Sequence, residues 1–190
     1  MFASLSLRSL LSVVVLALAL RGEGREVAGV KLPEGVEVDG KTLHLNGMAL
    51  TKFLFFDISV SALYLEQPSS NGNAILSSDQ VKRILIVTRR QVGRKDLIKG
   101  LKGDFIRNNP PEMMPKFKDR LDTFLSLVPD VQRGTQFTIT YFPEKGTEVR
   151  LPGRPPTLIP GKDFGSALIA IWVGPNPGNP DFKRRILGGL

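Results

Sequence analysis

Residues 54–68 read LFFDISVSALYLEQP. One alternation puts Leu54, Phe56, Ile58, Val60, Ala62 and Tyr64 on one side of a strand. That side is apolar throughout and belongs in a core. The other side carries Phe53, Phe55, Asp57, Ser59, Ser61, Leu63 and Leu65. A solvated face would not hold so many large apolar groups. A dry face would not accept an unpaired Asp57, whose burial costs several kcal/mol. Two readings remain open. An apolar face with a short polar centre is how small-molecule clefts are lined. Alternatively, the strand ends tuck under loops and the central serines meet water.

Working outward, Leu50 to Glu66 is expected as one long strand, straight or bulged, ended by Pro68 and Ser69-Ser70-Asn71-Gly72. Upstream, Val27–Leu32 forms a short edge strand before Pro33. Val36–Lys41 enters a hairpin at Asp39-Gly40, and Thr42–Leu45 returns. Asn46-Gly47 signals a second turn. Downstream, Ala74–Ser77 is a short helix and Lys82–Thr88 a strand. From Arg94 the period changes: Leu97, Leu101 and Phe105 are four apart, with Ile98 beside them, which marks an amphipathic helix ending before Pro110-Pro111. Phe117, Leu121, Phe124, Leu125 and Val128 mark a second helix. Thr135–Tyr141 alternates as a strand, and Gly146 punctuates a hairpin to Glu148–Leu151. Phe164, Ala167, Leu168, Ile171 and Trp172 stripe a third helix, and Pro180 opens a last one running to Leu187. Hairpin-scale loops and few strand–helix–strand crossovers give an α+β domain, an antiparallel sheet with helices on one face.

The first 24 residues stand apart. Arg8 precedes the apolar run LLSVVVLALAL at 10–20, and small residues follow at Gly22 and Gly24. This is the layout of a secretory signal peptide, and the run is short of the ~20 residues of a membrane span. The expected organisation is therefore a leader over 1–24, cleaved near Gly24, and one domain over 25–190. The location would be periplasmic or secreted, or membrane-anchored if the leader is retained. There is no Cys, so thiol chemistry and thiolate metal sites are excluded. The net charge of +8 concentrates in Lys82-Arg83, Arg89-Arg90, Arg94-Lys95, Lys99 and Lys102. These bases carry no interleaved aromatics and no nucleic-acid motif, so a nucleic-acid partner is not expected. A solvated face is the plain reading; weak contact with an anionic membrane surface is the other.

Nearly the whole chain past the leader resembles the chalcone isomerase-like family, closest to its bacterial exported branch. The matching pieces are Gly29–Pro33, Asp39–Leu43, Leu45-Asn46-Gly47, Ala62–Glu66, Ile159–Phe164 and Ala170–Gly174, in family order. The resemblance implies an open-faced β-sandwich, with helices packed on one face of a large antiparallel sheet and a ligand cleft between the layers. In chalcone isomerases an Arg steadies a developing oxyanion, a Thr on the long strand organises the site, and a Tyr and an Asn complete it. Here the Arg position falls on Thr51 and the Thr position on Ser59, while the Tyr and Asn positions fall near Gly93 and Gly100. Loss of an oxyanion donor commonly costs a hundredfold or more in rate. Fatty-acid-binding members hold a carboxylate with the same Arg and a Tyr, which Thr51 and Ser59 also replace.

Other constellations are thin. His44, the only His, alternates with Leu43 and Leu45 as an exposed strand residue and cannot form a two-His metal site. Asp119 and Asp122 read as solvated helix carboxylates. Phe53–Phe56 and Trp172 read as core. The expectation is therefore non-catalytic binding of a small apolar or amphipathic, fatty acid-like ligand in the cleft. Thr51, Ser59 and Ser61 would supply neutral hydrogen bonds, with no catalytic residue, metal or cofactor. The rival readings are an intramolecular lyase with a rewired site and an envelope protein whose cleft is filled by its own side chains.

Overall fold

The computed structural model describes residues 24–189. The leader expected over 1–24 thus lies, Gly24 apart, outside the described residues. The elements run β1 (Arg25–Val27), β2 (Val30–Leu32), β3 (Gly35–Val38), β4 (Lys41–Phe53), β5 (Phe56–Leu65), α1 (Gly72–Ser77), β6 (Lys82–Thr88), α2 (Arg94–Asn108), α3 (Met114–Leu127), β7 (Gln136–Phe142), β8 (Gly146–Arg150), β9 (Thr157–Ile159), α4 (Lys162–Val173) and α5 (Pro180–Ile186). Strands β3 to β9 join in chain order into one seven-stranded antiparallel sheet, and β1 pairs only with β2. The domain is α+β, as the pattern requires.

The sheet is buried on both faces. On the helix side Leu63, Leu65, Ile84 and Ile139 pack with Phe164, Leu168 and Trp172 of α4 and Phe117 and Leu121 of α3. On the other side Val60, Ala62 and Tyr64 pack with Leu43 and with Val30 and Leu32 of the small hairpin. Buried Tyr64 donates its hydroxyl hydrogen to the Pro33 carbonyl at 2.9 Å. Helix α4 lies close on the sheet because it presents Gly165 there: a Cβ at 165 would stand 2.4 Å from the Tyr141 ring.

Three expectations about β structure change. Leu50–Glu66 is not one strand but the end of β4, a turn at Leu54-Phe55 and all of β5. Leu54 adopts φ +54 there, and no Gly, Asn or Asp announces the turn. Asn46-Gly47, which does carry a turn signal, lies inside β4 instead. The pairs Leu45↔Tyr64 and Gly47↔Leu63 leave Asn46 as an extra, bulged residue. Its side chain donates to the Ile186 carbonyl at 3.1 Å and accepts from the Ser69 backbone N–H at 2.7 Å. Gly47 lets the end of α5 rest on the strand, since a Cβ there would meet the Arg185 and Ile186 carbonyls at 2.3 and 2.5 Å. Finally, Val27–Leu32 is a hairpin turned at Ala28-Gly29, both at positive φ, rather than a single edge strand. Asp39-Gly40 turns as expected, at φ 52 and 76.

The basic run is only partly a surface. Lys82 is buried at 1% exposure, donates to the Ser78 carbonyl at 2.7 Å and lies over the Tyr141 ring. Arg83 donates to Thr140 Oγ1 at 2.9 Å. Arg94 donates to the Val128 carbonyl at the end of α3.

A candidate ligand cleft beneath α2

Helix α2 is amphipathic in sequence, yet only its Phe105 is fully buried, in a ring cluster with Phe117 and Phe164. Leu97, Ile98 and Leu101 are half-buried. The helix is fixed at its ends. Asp130 accepts from the Arg94 backbone N–H at 2.7 Å, and the Arg94 side chain reaches back to the end of α3. At the other end Asn109 Nδ2 donates to the carbonyls of Phe105 and Ala167, at 2.8 and 3.0 Å. Between these anchorages Phe105, Ile98 and Leu101 pack on the core, while Leu97, Gly100 and Leu101 border open space.

That space is a cleft of about 1020 Å³. Its floor is the sheet, with Ser59, Ser61, Ile86 and Phe137; its roof is Leu97, Gly100 and Leu101; Phe124 and Trp172 close the back. A Cβ at Gly100 or Gly103 would meet nothing within 4 Å. These are helix-interior glycines, which weaken a helix relative to Ala by roughly 0.5–1 kcal/mol each, and here they leave room.

All three hydroxyl residues singled out in the sequence, Thr51, Ser59 and Ser61, line this cleft. Thr51 pairs with Ser59 across the β4–β5 hairpin, and Ser59 with Thr88 of β6, so the three share a row on the helix-facing side. Ser61, buried, lies one same-face step further in, beside Ile86. No hydrogen bond to another protein group occupies the Thr51, Ser59 or Ser61 hydroxyl among the described residues. Thr88, by contrast, spends its hydroxyl on the Gln132 and Thr135 carbonyls.

The parity of the strand changes beyond Ser59. Thr51↔Ser59 is followed by Lys52↔Asp57, leaving Ile58 bulged, its carbonyl taken by the Arg89 N–H at 2.8 Å. The bulge turns Asp57 away from the serines and toward Lys52, 4.0 Å off. Phe56 and Ile58, expected on the core side, line the cleft instead. Phe53–Phe56, expected as core, is an exposed hairpin tip. Trp172 is buried as expected, but at the wall of the cleft.

Sequence reading missed the cations at the mouth. Arg90, just past β6, lies with its guanidinium carbon 4.1 Å from the centroid of the Phe56 ring. Lys99 approaches from α2. Neither has a carboxylate partner among the described residues. Their position depends on the Ile58 bulge and the suspension of α2, which no local pattern encodes. Of the cleft carboxylates, Asp104 is pushed up by burial, with the Arg107 guanidinium 2.7 Å away opposing that shift. His44 is exposed on β4 and takes no part in the cleft. The hydroxyls therefore have no imidazole to activate them as nucleophiles. Among the described residues no cluster of His or carboxylates could hold a metal ion, and no helix is long and apolar enough to cross a membrane.

The fold is similar to that of a fatty-acid binding protein of Arabidopsis thaliana in its crystal structure. The TM-score is 0.63 at 13% identity, over 84% of this chain and 92% of that one. No curated protein matches the chain. The sequence model described as chalcone isomerase-like matches residues 24–188. With nearly the whole domain inside that match, this chain belongs to the chalcone isomerase-like family.

Proposed function

We propose that this protein binds a fatty acid-like amphiphile in the cleft beneath α2 and does not transform it. The observation that carries this reading is an open, largely apolar cleft of about 1020 Å³ whose floor holds unoccupied hydroxyls. Ligand sites commonly enclose ~300–1,000 Å³ with a few placed polar groups. The tail would lie against Ile86, Phe137 and Trp172. Thr51, Ser59 and Ser61 would offer neutral hydrogen bonds, and Arg90 and Lys99 would face an anionic head at the mouth. The structural neighbour, a fatty-acid binding protein, supports this reading, as does a cleft that the chain's own side chains leave open, where one they filled would mark a purely structural protein. Thr51 at the family's Arg position and open space at Gly100 argue against flavanone ring closure. We further propose that the protein acts after export, on the strength of residues 1–24.

Trp172 is the only Trp in the chain and walls the cleft. Titration with palmitate should change its emission saturably, and native mass spectrometry of protein purified from its own host should show a small molecule released by lipid extraction. An unresponsive Trp172 together with a ligand-free mass would overturn the binding reading. Saturable cyclisation of naringenin chalcone above the buffer rate would restore the enzyme reading.

A further inference from the structure

The β4–β5 finger that carries Thr51 and Ser59 ends in Phe53-Leu54-Phe55-Phe56. These side chains are 67%, 73%, 95% and 51% exposed. Elsewhere among the described residues only Ile106 and Leu158 are large, apolar and comparably exposed, so the apolar surface is concentrated on one tip. At about 200 Å² per side chain the tip presents on the order of 500 Å². That is about the largest apolar patch a monomer ordinarily shows, and such patches are often functional.

The backbone adds a second argument. Leu54 sits at φ +54, a left-handed conformation that Gly or Asn adopts with less strain. At the Asp39-Gly40 and Ala28-Gly29 turns a Gly or Asp takes at least one of the two positive-φ positions, and the other residue is small or polar; only at 54–55 are both turn residues large and apolar. Neither hydration nor turn stability favours Leu-Phe at 54–55; a surface that covers them does.

Charge decides what covers them. Lys52 precedes the tip, Arg90 stacks on Phe56, and Lys99, exposed on α2, lines the same cleft. Asp57, 4.0 Å from Lys52, and Asp96, at the same cleft, offset part of this charge. Arg90 and Lys99 have no acidic partner among the described residues. Apolar rings at the tip with cations set behind them match an interfacial anchor, in which rings enter the acyl boundary and bases remain among headgroups. One strand pair and a turn extend roughly 7 Å, within the ~5–10 Å depth of such anchors. A protein partner would ordinarily need ~800 Å² of each surface, more than the end of a two-strand finger offers.

We propose that the Phe53–Phe56 turn docks the protein on an anionic lipid bilayer, with Lys52, Arg90 and Lys99 meeting lipid phosphates. Phe53 and Phe56 border the cleft, so docking sets its mouth against the bilayer surface. The docking stands on the tip alone. Transfer of an amphiphile between bilayer and cleft rests, in addition, on the proposed binding function.

The test is vesicle flotation with phosphatidylcholine alone and with phosphatidylcholine–phosphatidylglycerol mixtures. It compares wild type with the double variant Leu54→Gly, Phe55→Ser. Neither residue lines the cleft, and glycine suits the Leu54 conformation. Wild type should float with the mixed vesicles, more weakly with phosphatidylcholine or at raised salt. The double variant should bind the mixed vesicles at least tenfold less, while its palmitate titration of Trp172 is unchanged. Lys52→Ala with Arg90→Ala should lose mainly the preference for phosphatidylglycerol. Equal flotation of wild type and double variant overturns the proposal, as does no flotation of wild type. A wild-type dimer that the double variant abolishes, without vesicle binding, assigns the tip to self-association and also overturns it. Flotation that persists while Trp172 ignores palmitate leaves docking standing and removes the cleft reading.

Discussion

Replacing Ser59 with Phe asks whether the serines floor an open cleft. Ser59 is half-buried, its hydroxyl has no protein partner, and it faces the space beneath Leu97 and Leu101. A Phe side chain carries about 150–250 Å². Roughly half of that would be covered by Ile86, Phe137 and the underside of α2. At ~25 cal/mol per Å² this contributes about 2.5 kcal/mol as an upper bound. A compact unfolded state lowers the figure to roughly 1.5–2 kcal/mol. For a domain of this size each kcal/mol raises Tm by about 2–4 °C, so a gain of about 3–8 °C is expected in thermal melts followed by circular dichroism. The ring would also occupy the place of the ligand, so the Trp172 response to palmitate should weaken at least tenfold. A close-packed site would instead lose roughly 1–3 kcal/mol through overpacking. A wet outer face would leave stability within about 0.5 kcal/mol and binding intact. A fall in Tm of several degrees, or wild-type palmitate affinity, refutes the cleft-floor assignment.

Other outcomes follow from the same geometry. Gly47→Ala should destabilise by about 2–4 kcal/mol, read in urea melts, because its Cβ would press on the Arg185 and Ile186 carbonyls and dislodge α5; a variant as stable as wild type would contradict the close approach. Burial pushes Lys82 down to about 8, with the Lys162 charge adding and Asp79 opposing. Between pH 8 and the unfolded value near 10.4 the unfolded chain holds a proton that the folded protein has released, so stability should rise with pH by up to about 2–3 kcal/mol. Lys82→Met should flatten that rise, and a rise that survives the substitution assigns it elsewhere. Tyr64, pushed up to about 12 chiefly by burial, acts oppositely, with stability falling above pH 10 as the unfolded tyrosine ionises first. Expression with residues 1–24 in a Gram-negative host should yield a periplasmic protein starting near Arg25; intact mass retaining Met1 on cytoplasmic protein would refute export.

The sheet and helices were legible because their signals are periodic and local. The two faces of Val60 to Leu65, the stripe Phe117-Leu121-Phe124 and the Asp39-Gly40 turn all behave as their patterns require. What stayed hidden depends on partners distant in sequence. Asn46-Gly47 has turn chemistry, but the end of α5, some 140 residues away, makes it a bulge. Leu54-Phe55 turns the chain without any turn residue, so the apolar run read as one strand and its tip as core. Ser59 and Ser61 share the side that alternation assigns them, because alternation survives as far as Ser59, and Thr51, marked by the family's Arg position, lies opposite Ser59. The single bulge at Ile58 then exchanges the faces beyond it and brings Phe56 to the cleft. Arg90 was present in the basic run, but nothing in that run separates it from Lys82, which is buried over the Tyr141 ring.

The way α2 is held has a consequence for how filling the cleft and folding are linked. With both ends tied and Phe105 and Ile98 packed on the core, the helix still leaves its cleft side unfinished: Leu97 and Leu101 remain half-covered, and Gly100 and Gly103 withhold the side chains that would close the gap. Under the binding reading, the missing atoms of this hydrophobic layer come from the guest. Empty protein then behaves as a domain with an unfinished interior, and occupancy raises its stability as RT ln(1 + [L]/Kd). The central amides of α2 should gain protection from hydrogen exchange in step with loading. Under that reading the amino-acid sequence encodes all of this protein's core except the part it collects from outside.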